Sequence, residues 1–440
     1  MQGNKSAINT SYLLGFLLLG TVTLLAQEPA RQSLALTDAY VLLEERYPLL
    51  RNGELIQQLE QQQHAQLKTD AMPSLYWKTD ARLQSESVQL DPPEGSNFPL
   101  AISRPLVNAQ SYLEGQYILL DGGVREARGT IISAETAVQQ QQLQVERYQL
   151  RQQVNELFLG LSALRAQAGL FELSLNDIDS RIDQARAGVE NGVLLESELT
   201  KLLVRRKQMA TEQNNVSLQI EGILNSLEDL LAVELAEDVE LQYPSLPAVQ
   251  AIPGIDRPEQ NLFRLQQNAL LAQEALIDTD KRPKLNLFAQ AGIGYPNPLN
   301  LLDSDPAPYA IVGAGLSWKL IDWDKAKQQK ETLRLRALQV QNQQASFEFR
   351  LEQAEARYLA NVKQLVTQIE SDQEIAELQA EILQQSAAQL EEGVITTAEY
   401  LSQSTAELQA RQQLKLHEVQ LLQLQLNFWN SRGGGEKNSQ

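Results

Sequence analysis

Residues 190–199 read ENGVLLESEL, and residues 391–400 read EEGVITTAEY. Each stretch places a Gly-Val pair after a long proline-free run and returns to a helical pattern that carries a carboxylate, Glu198 or Glu399. The two stretches lie 201 positions apart, as do Leu120-Asp121 and Ile321-Asp322. Towards the N-terminus, Pro48 and Pro73 match Pro258 and Pro283 at an offset of 210. The offset changes by nine between these landmarks, so a longer loop is expected in the first copy, between Pro73 and Asp121. Self-similarity sustained in this order is the mark of a tandem duplication.

Each copy reads as a helix, two alternating strands around a Pro-rich loop, a very long helix, a glycine turn and a second long helix. The first repeat is expected over 27–233, with strands at about 73–88 and 109–121 and helices at about 124–189 and 197–231. The second is expected over 258–430, with strands at about 284–296 and 309–321 and helices at about 324–390 and 397–429. A three-proline linker, 234–257, separates them, and the Gly-rich tail 431–440 reads as disordered. Residues 1–26 read as a signal peptide: Lys5, an apolar run from Tyr12, and the small residue Ala26. The alternative there is an uncleaved anchor.

The run from Val124 to Gly188 would extend about 95 Å as a helix. Its second half spaces apolar residues 4-3 through Leu150, Val154, Leu157, Leu161, Leu164, Ala168, Phe171, Leu175, Ile178, Ile182, Ala185 and Val189. That spacing is a coiled-coil seam. Carried forward by 201, the seam is looser, with Glu355, Asp372, Gln379 and Ser386 among its members. The return helices are about half as long, so Gly53–Asp70 and Glu259–Asp278 are expected to stack end to end with them. In the strand segments, Leu75, Trp77, Thr79, Ala81 and Leu83 alternate with Tyr76, Lys78, Asp80 and Arg82. Leu285, Leu287, Ala289, Ala291, Ile293 and Tyr295 do the same in the second copy, and the partner strands place Leu113, Tyr117 and Leu119, then Ala314, Trp318 and Leu320, on one face. Period-2 alternation over about ten residues gives a strand with one apolar side, facing lipid or a protein core. Four strands cannot close a barrel, since the small ones need about eight.

Composition removes whole classes of function. The 440 residues carry 37 Lys+Arg against 56 Asp+Glu, a formal charge of −19, which argues against a nucleic-acid partner. There is no Cys and there are two His, so thiolate chemistry, zinc sites and His-based triads lack material. No phosphate-binding Gly-rich loop is present, and neither a cofactor nor a metal is expected.

The ordered motifs resemble the TolC family of outer-membrane efflux channels. Leu34-Ala35-Leu36-Thr37-Asp38-Ala39 with Tyr47-Pro48 resembles the family's N-terminal opening, and Arg257-Pro258-Glu259 the start of its second copy. Pro73-Ser74-Leu75 and Pro283-Lys284-Leu285 are similar to the strand entries, and Leu120-Asp121-Gly122-Gly123 and Ile321-Asp322-Trp323 to the strand-to-helix junctions. The resemblance spans essentially the whole mature chain. It implies an α+β membrane protein: a homotrimer whose twelve strands close one β-barrel in the outer membrane, continuous with a long α-helical coiled-coil tunnel in the periplasm. It implies a passive exit duct, not an enzyme, with outer-membrane lipid, a periplasmic adaptor (membrane fusion protein) and an inner-membrane transporter as partners. The alternative function is a periplasmic or surface coiled-coil scaffold without a pore.

The site candidates follow from the same resemblance. Gly192, Val193 and Leu194, with Gly393, Val394 and Ile395, are similar to the tip turns that meet the adaptor. Glu190, Glu196, Glu198, Glu391, Glu392 and Glu399 cluster at these turns, where threefold symmetry would make carboxylate rings. Family gate aspartates fall on Glu198, Glu399 and Ser402, and a family Arg falls on Ile395. The competing role for Glu198 and Glu399 is favouring the dipole in a first helical turn.

Overall fold

The computed structural model describes residues 31–86, 89–90, 102–244, 257–300 and 302–431. The signal-peptide reading, half of the linker (245–256) and all but the first residue of the expected tail fall outside the described residues. The chain opens with strand β1 (Arg31–Ala35), helix α1 (Leu36–Arg46), a 3-10 turn at Pro48–Arg51 and α2 (Asn52–Thr69). Strand β2 (Ser74–Leu83), the short pair β3 (Gln89–Leu90) and β4 (Ile102–Ser103), and β5 (Val107–Leu120) follow, then the long hairpin α3 (Val124–Glu190) and α4 (Glu196–Leu231). After β6 (Leu235–Gln242) the order repeats: α5 (Pro258–Thr279), β7 (Lys284–Tyr295), β8 (Ala307–Ser317), α6 (Lys325–Glu391) and α7 (Thr397–Ser431).

Strands β2, β5, β7 and β8 form one antiparallel sheet in that order, with β2 and β8 at its edges. Leu75, Trp77, Leu83, Leu113, Ile293, Val312 and Leu316 are all exposed on one face. A register shift between Ile118 and Leu120 puts Leu120 opposite Leu285, so Leu120, rather than Leu119, continues the apolar face at that end. Such a shift reverses the alternation locally. The expected strand over 73–88 keeps its pairing only to Leu83, and that over 309–321 to Ser317; Trp318 and Leu320 lie just beyond the strand.

Helices α3 and α6 each contain 67 residues, about 100 Å of helix. Both start from an aspartate at the strand end. Asp121 accepts from the N–H groups of Gly123 and Arg125, both at 2.9 Å, and Asp322 accepts from Ala326 at 3.2 Å. None of the twelve seam residues of α3 is exposed, and neither is any of the twelve carried forward into α6. The polar members Glu355, Asp372, Gln379 and Ser386 therefore face inward too, and Asp372 binds His417 of α7. The upper half of α3 is covered by α2 and α5, with His64 Nε2 3.1 Å from Ser133 and Gln141 donating to the Pro258 carbonyl at 2.8 Å. α5 also covers the upper half of α6, where Phe263 meets Phe347.

The linker region holds an element the sequence reading lacks. β6 pairs in parallel with β1, Leu34 opposite Leu241, and clips the two ends of the first repeat together. Around this clip, Leu36, Leu43, Val154, Phe158, Leu161, Leu227, Leu231, Val239 and Leu426 form a buried core at mid-length of the helices. Fully burying such side chains stabilises by about 1.5–3 kcal/mol each. A second core, with Phe171, Ile178, Ile182, Leu202, Met209 and Leu408, runs down the lower hairpins.

Candidate functional site

The far ends of the two helical hairpins are built alike. Gly192 and Gly393 both have φ of +70°, in the left-handed region. A Cβ at either position would meet nothing within 4 Å, so the need for glycine is conformational and not steric. Val193 N–H donates to the Gly188 carbonyl at 2.9 Å and Gly192 N–H to Val189 at 3.0 Å; Val394 and Gly393 repeat this with Gln389 and Leu390 at 2.8 and 3.1 Å. These paired bonds define a Schellman turn. Each turn pushes a valine outward, Val193 at 81% and Val394 at 68% exposure. Leu194 and Ile395 are half-buried, and Leu194 packs on the lower core.

Glu198 and Glu399 each bind at the start of α7 through partners of their own. Glu198 is held by Lys201 at 2.8 Å and faces Thr397, the first residue of α7. Those two contacts, Lys201 foremost, hold its carboxyl below the usual range. Glu399 forms a capping box with Thr396: its Oε2 accepts from the Thr396 N–H at 2.8 Å, and the Glu399 N–H donates to Thr396 Oγ1 at 3.3 Å. The Thr396 N–H keeps the Glu399 carboxyl low as well. Ser402 is exposed one turn further along α7.

What does join the two hairpins is a group of four side chains, Tyr400, Asp177, Arg181 and Glu391. Tyr400, fully buried, donates its hydroxyl to Asp177 of α3. Burial, followed by that carboxylate, pushes the phenol pKa well up, so it remains a donor at all ordinary pH. Arg181 lies over the Tyr400 ring, 5.4 Å from its centroid, and binds Glu391 at the end of α6. Gln184 adds a bond to Glu391 at 3.3 Å, and the Arg181 contact foremost lowers the Glu391 pKa. Of this group only Glu391 stands among the tip carboxylates in sequence. Asp177 and Arg181 read as an ordinary i,i+4 pair, because their partner is about 220 residues away. Arg205 of α4 makes a further link, to Thr405 of α7 at 2.9 Å.

At the other end, the polar face of the sheet centres on Glu114, which is buried and accepts from Lys78 at 2.7 Å, from Gln290 at 2.9 Å and from Gln116. Large and small residues alternate across the strands there. A Cβ on Gly292 would fall 2.4 Å from Tyr112 Cβ, and one on Gly313 would fall 2.4 Å from the Phe288 ring. No helix among the described residues is long and apolar enough to cross a membrane.

No family model and no curated protein matches the chain. Solved structures do. The Campylobacter jejuni CmeC outer membrane channel matches with a TM-score of 0.69 at 13% identity, over 100% of this chain and 95% of that one. The outer membrane protein VceC of Vibrio cholerae matches at 0.67 and 15% identity, over 90% and 96%. The open state of the Neisseria gonorrhoeae MtrE outer membrane channel matches at 0.65 and 15% identity, over 91% and 89%. The fold is that of the TolC-family outer membrane channels.

Proposed function

We propose that the protein is the outer-membrane exit duct of a tripartite efflux or secretion system. One observation carries this reading: a four-stranded sheet with an exposed apolar face and two open edges continues directly into helices of about 100 Å. An apolar face turned to solvent on an open sheet is unfavourable in water. Lipid would cover the face, and neighbouring copies would cover the edges. Three chains supply twelve strands, and the helical hairpins extend the barrel as a periplasmic tunnel. The outer-membrane channels of the same fold support this placement.

The chain acts as a passive conduit. The Glu114 face lines the barrel and the hairpin tips close the far end. The exposed Val193 and Val394, with Gly192, Leu194, Gly393 and Ile395, offer the docking surface for a periplasmic adaptor, which links the duct to an inner-membrane transporter. Opening separates the hairpins, so it must break the bonds of Tyr400 and Glu391 to Asp177 and Arg181. Glu198, Glu399 and Ser402 border this closure, and threefold symmetry repeats their charge around the aperture.

The test is the native mass and conductance of protein extracted from the outer-membrane fraction in mild detergent. The expected result is a trimer that leaves the membrane only with detergent and gives a small, gated conductance in planar bilayers. A monomer or dimer released by carbonate would overturn the duct.

A further inference from the structure

The duplication predicts how the two open edges of the sheet meet. Within each repeat the strand pairs have one register: Ser74 opposite Gln116 maps onto Lys284 opposite Ser317, and Leu83 opposite Val107 maps onto Ile293 opposite Pro308. The offsets are 210 for the first strand and 201 for the second, the same values that relate the sequence landmarks. The chain also contains one seam between repeats, β5 against β7, with Ser111 opposite Ile293, Tyr112 opposite Gly292 and Leu113 opposite Ala291. Its counterpart is β8 against β2. Those strands are the two edges of the sheet, so they can meet only between copies of the chain.

We infer that β8 pairs antiparallel with β2 of a second copy in the transferred register, Val312 opposite Leu83 of the partner subunit and Ala314 opposite Ala81 of the partner subunit. This inference rests on the multi-chain barrel proposed above and specifies its seam. Two features support it. The register keeps faces together: Val312 and Leu83, 84% and 80% exposed in the single chain, belong to the apolar face, and Gly313 and Arg82 to the polar one. A one-residue slip would reverse every face.

The second feature is an exchange of large and small residues at the strand-to-helix junction. Gly122 and Gly123, at φ +70° and +87°, lie against Arg282, whose guanidinium would be 2.7 Å from a Cβ on Gly123. Their counterparts are Trp323 and Asp324, which hold the same left-handed backbone at φ +52° and +60° despite having side chains. A tryptophan there is strained, and Trp323 is 87% exposed in its own chain. The residue that takes the place of Arg282 is Met72 of the partner subunit, 66% exposed in the single chain. The ring of Trp323 seats on that thioether, an apolar contact where the other seam has a cation over glycine.

The chain has no Cys, so paired cysteines report the seam without background. A full-length L83C/V312C protein, oxidised in its native membrane, should run on non-reducing gels as covalent dimers and trimers, while either single variant stays monomeric. Directly opposed residues lie about 4.5–5.5 Å apart between Cα atoms, within disulfide reach, whereas neighbours slipped by two lie about 7–8 Å apart. A81C/V312C and S85C/V312C should therefore cross-link at most about a tenth as well. A slipped pair that dominates would overturn the register. No cross-link in protein that still extracts as a trimer would overturn the seam and leave the duct standing; a monomer in detergent would remove both. Separately, W323G should lower the temperature at which the trimer dissociates in detergent. An unchanged temperature would overturn the Trp323–Met72 contact.

Discussion

Replacing Tyr400 with Phe removes one hydroxyl and leaves the buried ring in place. The hydroxyl donates to the Asp177 carboxylate across the gap between α7 and α3. A hydrogen bond to a charged group contributes about 1.5–3 kcal/mol. The Asp177 side chain is 36% exposed, so water can replace the lost donor, and the cost falls near the low end, about 1.5 kcal/mol. Because the bond joins two hairpins, that loss is confined to the closed tip if opening separates them. An energy of 1.4 kcal/mol is a tenfold change in an equilibrium constant. Tyr400→Phe should thus raise the open-to-closed ratio about tenfold per chain, read as more frequent openings in planar bilayers at neutral pH. The ring still packs beneath Arg181, so the trimer should extract as before. The reasoning would be refuted by a variant whose melting temperature drops while its conductance stays at the wild-type level. In that case the bond stabilises the hairpins in both states and has no part in closure.

Two further outcomes follow from the tip geometry. Gly192→Ala and Gly393→Ala put a Cβ on a left-handed residue with open space around it, so each should cost about 1–2 kcal/mol through the backbone alone; Gly→Asn should be milder in thermal unfolding, and equal costs for Ala and Asn would contradict the conformational argument. The Glu391 carboxyl has its pKa lowered by Arg181 in the folded tip. A depressed carboxylate stabilises the closed tip above its unfolded pKa and loses that effect as pH falls through its folded pKa. Acidification below the usual carboxylate range should therefore increase closed-state conductance, and Glu391→Gln should remove the part of that pH dependence due to this pair.

The repeat was legible because it is written in local patterns. Turn glycines, a 4-3 seam and period-2 strands each depend on residues close in sequence. Even the polar seam members Glu355, Asp372, Gln379 and Ser386 could be located by offset alone, before any hydrophobicity argued for them. The tip group was not legible for the opposite reason. Tyr400, Asp177, Arg181 and Glu391 form a unit only after two hairpins separated by about 200 residues lie side by side, and each has an ordinary surface explanation in sequence. β6 was missed in a similar way. Its segment LAEDVELQ is acidic and short, and it becomes a strand by pairing with β1 far upstream. The bulge at Leu119 was hidden because alternation in sequence does not record where a ladder slips.

Tyr40 of α1 donates to Asn155 at mid-length of α3, and Asn430, near the end of α7, donates to Tyr40 at 3.4 Å. Leu426 and Trp429 complete the core that α1 and the β1–β6 clip begin. The packing of α1 therefore depends on residues of the last helix. Removing the final turns of α7 would take two buried members, Leu426 and Trp429, out of that core. The two repeats are thus tied into one cooperative unit at this core, and neither completes it alone.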